Sequence, residues 1–277
     1  MPPLAVCSWS LRPDSPSDLV EKVRACGVGA VQLALDPLRT FAWRTEETAS
    51  RLKHAGIHVL SGMMATKGED YSTLDSIRET GGLRPDEHWE ANLRAAEGCS
   101  LLAARLALPL VTFHAGFIPH EESDPERSRL VDRLRAVAEV FAARNVRIAL
   151  ETGQEDAETL ASVLAELNEG LSSRAAVGIN FDPANMLLYG MGDPVIALRR
   201  LLPHVRQIHI KDAVPAAKPG TWGEERPVGA GAVDWAAFFN TLRDSTFDGA
   251  LVIEREAGEE RVADVRKAAD LVRSFEF

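Results

Sequence analysis

The chain has 277 residues, with 41 acidic against 31 basic side chains and a formal net charge of −10. Lys and Arg are scattered, so no basic stripe is available to neutralise a phosphate backbone, and a nucleic-acid partner is disfavoured. A hydrophobic fraction of 45% supplies a large core, while no apolar stretch approaches the roughly 20 residues of a membrane span.

Cys7, Cys26 and Cys99 form no CxxC pair and read as small buried apolar residues. The first ten residues lack the basic region of a signal peptide, so the expectation is a cytoplasmic protein with no membrane association.

Along the chain one unit recurs: a short apolar run ends in polar residues, and an amphipathic helix follows. The runs are LAVCSW (4–9), AVQLAL (30–35), HVLSGMM (58–64), LVTFHAG (110–116), RIALETG (147–153), VGINFDPAN (177–185), VRQIHIKDA (205–213) and GALVIEREA (249–257). Their continuous apolarity predicts strands covered on both faces, as in a parallel sheet. Ser15-Pro16 with Asp18 marks a helix start, and Gly27 its stop; the next helix runs from about Thr45 to Gly56. Further helices are predicted at 86–107, 125–144, 156–168, 193–202, 234–244 and 259–275, with Asp124-Pro125 and Asp193-Pro194 as cap-then-proline starts.

Eight such units predict an α/β fold, a single (β/α)8 TIM barrel spanning 1–277 as one domain. An open doubly wound sheet is the rival. It would bind ligand at one switch point, whereas polar residues end five of these strands and no Gly-rich phosphate loop is present.

In such a barrel the strand C-terminal ends form the active-site mouth. There the sequence places Trp9, Gln32, Met63-Met64, His114, Glu151, Asp182 with Asn185, His209 with Lys211, and Glu254 with Glu256. Singly, each has an ordinary explanation. Glu151 suits a rim ion pair, Asp182 before Pro183 a turn, His209 a core position, and Glu254 a partnership with Arg255. Together, three carboxylates and an imidazole at one mouth would resist ionisation unless a cation joined them. Glu151, Asp182, His209 and Glu254 are therefore candidate ligands of one divalent metal, with Mn²⁺, Mg²⁺ or Co²⁺ favoured over Zn²⁺.

His114 is a candidate for substrate binding or metal support. Lys211 and Asn185 are candidate substrate contacts, and Trp9 and Trp222 candidate apolar walls. The Gly/Pro-rich segment 214–232 is expected to cover part of the mouth, with 65–85 as a second cover.

At RIALETG, NFDPANMLLYG, QIHIKDA, PVGAGAVDW and ALVIEREAG the chain resembles the xylose isomerase-like TIM-barrel superfamily of sugar (phosphate) isomerases and epimerases. The resemblance runs along nearly the whole chain. It implies that Glu151 and Glu254 are catalytic, moving a proton α to a carbonyl through an enediolate, while they and Asp182 and His209 hold the metal. It also implies carbohydrate metabolism and a small-molecule carbohydrate substrate, and it allows a homo-oligomer.

The match has departures. Where ketose 3-epimerases carry a histidine soon after the aspartate, this chain reads Asp182-Pro183-Ala184-Asn185. Gln207 stands where they commonly carry a histidine, and their arginine is replaced by Lys211-Asp212 or displaced to Arg226, the last candidate substrate contact. A metal-dependent lyase, of inosose dehydratase-like or keto-glycoside-cleaving type, and a non-catalytic sugar-binding barrel stay as alternatives. The superfamily's DNA endonucleases need more histidines and a basic face, which this sequence lacks.

Overall fold

A computed structural model describes residues 2–275. Its eight parallel strands close into a barrel: β1 (Leu4–Cys7), β2 (Ala30–Ala34), β3 (His58–Met63), β4 (Leu110–Phe113), β5 (Arg147–Glu151), β6 (Gly178–Phe181), β7 (Val205–Ile210) and β10 (Ala250–Ile253). Closure comes from the pairing of the first and last: Leu4, Ala5 and Val6 lie opposite Leu251, Val252 and Ile253. Two further strands, β8 (Asp212–Val214) and β9 (Glu224–Arg226), form an antiparallel hairpin after β7.

Eight helices follow the expected repeat: α1 (Pro16–Ala25), α3 (Thr45–His54), α5 (Asp86–Arg105), α6 (Pro125–Ala142), α7 (Ala157–Asn168), α9 (Pro194–Leu201), α10 (Trp235–Arg243) and α11 (Arg261–Ser274). Three shorter ones are additional: α2 (Asp36–Arg39), α4 (Leu74–Thr80) and α8 (Pro183–Leu188). The caps are those the sequence offered. Ser15 Oγ accepts from the Asp18 N–H at 3.2 Å, and Asp193 Oδ1 accepts from Val195 and Ile196 at 2.8 Å each. No helix among the described residues is long and apolar enough to cross a membrane.

The strands differ from the expected continuous apolarity in one respect that matters for the site. Their larger apolar side chains, such as Phe113, Ile148, Phe181, Ile208 and Ile210, join the main core beneath the helices. Ala5, Cys7, Ala30 and Val252 form a separate small cluster. The alternate positions Gln32, Ser61, Thr112, Asn180, Gln207 and His209 are buried and hydrogen-bond across several strands. Period-2 alternation thus gives the strands a helix-facing apolar side and a barrel interior that is largely polar on β2 to β7 and small and apolar on β1 and β10.

Candidate active site

The four candidate ligands come from consecutive barrel elements. Glu151 ends β5, Asp182 caps α8, His209 lies in β7 and Glu254 follows β10. Their placement is fixed locally. Asp182 N–H donates to Thr152 Oγ1 at 2.7 Å, and that hydroxyl donates back to Asp182 O at 3.0 Å. Asp182 Oδ1 accepts from the Ala184 and Asn185 N–H groups at 2.7 and 3.1 Å, serving as the helix cap.

That cap leaves Asp182 Oδ2 buried with no hydrogen bond, and His209 Nδ1 is buried in the same condition. The two atoms lie 3.8 Å apart, and His209 Nδ1 is 3.3 Å from Glu151 Oε1 and 3.4 Å from Glu254 Oε2. One donor atom from each of the four residues lies within 4.8 Å of the others. Buried polar atoms are rarely left without partners, and a cation among these four would engage both orphans at once. The donor set therefore fits a divalent metal.

A layer of buried amides sets the orientation of His209. Gln32 Nε2 faces the carbonyl of Gly62 at 3.3 Å and Thr112 Oγ1 at 2.7 Å. Because a carbonyl only accepts, this fixes the amide, and Gln32 Oε1 must be the atom 2.9 Å from His209 Nε2. The imidazole therefore carries a proton on Nε2; burial opposes a second one, but the surrounding acidic groups outweigh it and raise the His209 pKa, so an ion held at Nδ1 would take that second proton's place. Gln207 Nε2 donates to Gln32 Oε1 at 3.0 Å and to Asn180 Oδ1 at 3.1 Å, while Ser61 Oγ donates to Gln207 Oε1 at 2.6 Å. Asn180 Nδ2 is thereby turned toward Glu151 Oε2, at 3.3 Å. It also lies 3.0 Å from His209 Nε2, a contact that cannot be a hydrogen bond once Nε2 is protonated.

Charge is concentrated here. Burial opposes ionisation of Glu254, but Lys211 and His209 outweigh it and hold the carboxyl well below its usual range. Burial likewise opposes ionisation of Glu151, yet His209 and His114 hold its pKa down. At Asp182 burial prevails, and the pKa is raised.

Most sequence-predicted contacts converge on this centre. Trp9 Nε1 donates to Glu254 Oε1 at 2.8 Å, so Trp9 orients a carboxylate as well as walling the cavity. Asn185 Nδ2 donates to Glu151 Oε1 at 3.1 Å. His114 Nε2 lies 3.8 Å from Glu151 Oε2. Lys211 Nζ reaches Glu254 Oε2 at 2.9 Å and Glu256 Oε2 at 2.6 Å, while Asp212 turns away from it. Arg226 stands apart: it is exposed on β9, bonds Glu224 at 2.6 Å, and does not line the cavity above the ligands.

That cavity has a volume of about 660 Å³, within the range of ligand pockets. The two expected covers both contribute to it, Glu69 and Tyr71 from 65–85 and Trp222 and Glu225 from 214–232. Tyr189 also lines it, and no strand-end position signalled that residue. Gln32, Asn180 and Gln207 were visible as isolated polar residues within apolar runs, but their shared function appears only once the barrel closes.

Comparison with known proteins agrees with this architecture. The family model for the xylose isomerase-like TIM barrel matches residues 20–275. A xylose isomerase domain protein from Planctomyces limnophilus is 32% identical with a TM-score of 0.85, covering 92% of this chain and 91% of that one. A D-allulose 3-epimerase from Methylomonas sp. shares the fold at 13% identity and a TM-score of 0.73, covering 99% and 97%. Among curated proteins, L-ribulose-5-phosphate 3-epimerase UlaE of Escherichia coli is 34% identical over 84 residues, 30% of this chain. The match spans only 28% of that relative's length. From barrel, strand-end residues and family match together, the chain belongs to the xylose isomerase-like TIM-barrel family.

Proposed function

We propose that the protein is a divalent-metal-dependent isomerase or epimerase of a small carbohydrate, working by proton transfer α to a carbonyl. The observation that carries this reading is the pair of buried, unpartnered atoms, Asp182 Oδ2 and His209 Nδ1, between the carboxylates of Glu151 and Glu254. Glu151, Asp182, His209 and Glu254 would hold the ion, with Mn²⁺, Mg²⁺ or Co²⁺ preferred for an oxygen-rich set. When bound, such an ion polarises a carbonyl and its neighbouring hydroxyl, so that the C–H between them loses its proton more readily.

The protein's own groups do the rest. Glu151 and Glu254 are the proton carriers, each steadied by a neutral donor, Asn185 at 3.1 Å and Trp9 at 2.8 Å. Lys211 and His114 add positive potential where an enediolate would develop negative charge. The same centre serves a lyase if the ligand carries a leaving group β to the acidified carbon. Lys211, held between Glu254 and Glu256, is placed to hydrogen-bond a departing oxygen. Names among the structural relatives serve both readings, D-allulose 3-epimerase and 3-keto-D-glucoside 4-epimerase the first and a probable 3-DHS dehydratase the second.

The test is incorporation of solvent deuterium into ketoses, inososes and 3-keto-glycosides by protein reconstituted with each metal. Exchange without loss of water or a leaving group is expected, and elimination product would move the assignment to the lyase. Glu151→Gln and Glu254→Gln should each lower turnover at least 100-fold, as loss of general acid–base catalysis predicts. Full activity in chelator-treated protein would exclude the mechanism.

A further inference from the structure

Barrels of this architecture often seat phosphate groups on the loops after their seventh and eighth strands, using backbone N–H groups. In this protein those donors are taken by the chain's own carboxylates. After β7, Asp212 Oδ1 accepts from the N–H groups of Ala213 at 2.9 Å and Val233 at 3.2 Å. Its Oδ2 accepts from Gly229 at 2.9 Å, Gly231 at 3.2 Å and the indole N–H of Trp235 at 2.9 Å. After β10, Glu225 Oε1 accepts from the Glu256 N–H at 3.0 Å, the Ala257 N–H at 3.2 Å and Arg255 Nη1 at 2.6 Å.

The rest of the cavity has the same sign. Glu69, Glu225 and Glu256 line it in addition to Glu151 and Glu254. Lys211 is the one lysine or arginine among the described lining residues, and Glu254 and Glu256 already hold it. The remaining walls are largely aromatic and apolar, with Trp9 on one element and Tyr189 meeting Trp222 edge-on at 4.8 Å. The Trp222 indole N–H is buried without an acceptor.

We propose that the site takes an electroneutral polyhydroxylated ketone, an unphosphorylated sugar, and discriminates against the corresponding phosphate ester. This rests on the proton-transfer reading of the same site for the carbonyl, and on the charge and donor arrangement for the rest. Aromatic walls suit the C–H faces of such a ligand, and a ligand oxygen is the acceptor that Trp222 lacks. A phosphate dianion would meet the Glu225 and Glu256 carboxylates that line the cavity, with the N–H groups of Glu256 and Ala257 already taken, while Asp212 leaves the loop after β7 no free N–H to offer.

The experiment titrates metal-loaded protein, dialysed free of excess ion, with matched ketopentoses and ketohexoses and their terminal phosphate esters. Quenching of tryptophan fluorescence reads binding, and deuterium uptake is followed in parallel. The neutral member of each binding pair should bind at least tenfold more tightly, with the gap narrowing as salt is raised. Equal or tighter binding of the esters overturns the proposal, as does failure of every neutral ketose to bind.

Selective binding of neutral ketoses without deuterium uptake would sustain the charge selectivity while removing the isomerase reading. Deuterium uptake with the ester preferred would do the reverse. Glu225→Ala supplies an independent arm, since it frees Arg255 Nη1, whose Nε stays paired with Asp264, and the N–H groups of Glu256 and Ala257. Its affinity for inorganic phosphate should rise at least tenfold over wild type. An unchanged affinity, in a variant with an unaltered circular dichroism spectrum, overturns the role given to Glu225.

Discussion

Gln32 decides which ring nitrogen of His209 faces the carboxylates, although it lies on a strand at the other side of the barrel interior. Truncating it to alanine removes the acceptor that fixes the tautomer. Metal affinity should fall by about 10- to 100-fold, the usual cost of losing a partner that orients a ligand. A metal titration that matched wild type would contradict this role. Glu155 offers a second test at this scale. Burial raises its carboxyl to about 7, while its Oε1 accepts from the Ile118 N–H at 2.9 Å. The native state therefore holds that proton more tightly than the unfolded chain does, and the associated stability is lost as pH rises from about 4.5 through about 7. Glu155→Gln retains the acceptor and removes the charge. Its stabilising effect should be absent near pH 4 and reach the order of 3 kcal/mol at pH 8, read as the difference in Tm from wild type. The four candidate ligands were legible in the sequence because each lies in or at the end of an apolar run. Gln32 was visible as a polar residue in an apolar run but its role was not, and Glu155 gave no signal, because their environments depend on strands and loops distant in sequence.

The hairpin of β8 and β9 is the element that most altered the sequence-based picture. Its Gly/Pro-rich stretch suggested an irregular cover, but three-residue strands pair Asp212 with Arg226 and Val214 with Glu224. Such short strands leave no periodicity to read. Asp212 anchors the loop beyond them through five donors, and asparagine would turn an N–H toward groups that themselves need an acceptor. Asp212→Asn should cost about 2–4 kcal/mol, given the price of unsatisfied buried donors. It should also open segment 214–232 to limited proteolysis; a resistant variant with an unchanged Tm would refute the anchoring role. Helices α4 and α8 were hidden for related reasons. Thr73 and Ser76 form a reciprocal cap that resembles a polar turn in sequence, and the Asp182-Pro183 start of α8 reads equally well as a bend.

At the scale of the molecule, the barrel was legible because βα units repeat eight times, and right-handed crossovers leave few other ways to arrange them. The inward charge distribution was less so, since it depends on register around a closed cylinder. Burial leaves the Asp182 carboxylate opposing folding, whereas an ion bound only by the native state adds stability through mass action. Adding Mn²⁺ to chelator-treated protein at 100 times its Kd should therefore raise unfolding stability by about 2.7 kcal/mol. The gain should be absent in Asp182→Asn, and equal shifts in both proteins would place the ion elsewhere.

The contact between Trp9 and Glu254 joins positions 245 residues apart in the chain. Translation at roughly 5–20 residues per second separates the appearance of those two side chains by about 12–50 seconds. During that interval Trp9 has no Glu254 to orient, β1 has no β10 to pair with, and the ligand set lacks its fourth member. A growing chain that has made seven barrel strands still lacks the one that closes the cylinder. The order of synthesis thus withholds the Trp9–Glu254 contact and the complete buried cluster until the cylinder closes, so premature chain termination before Glu254 yields a protein with neither.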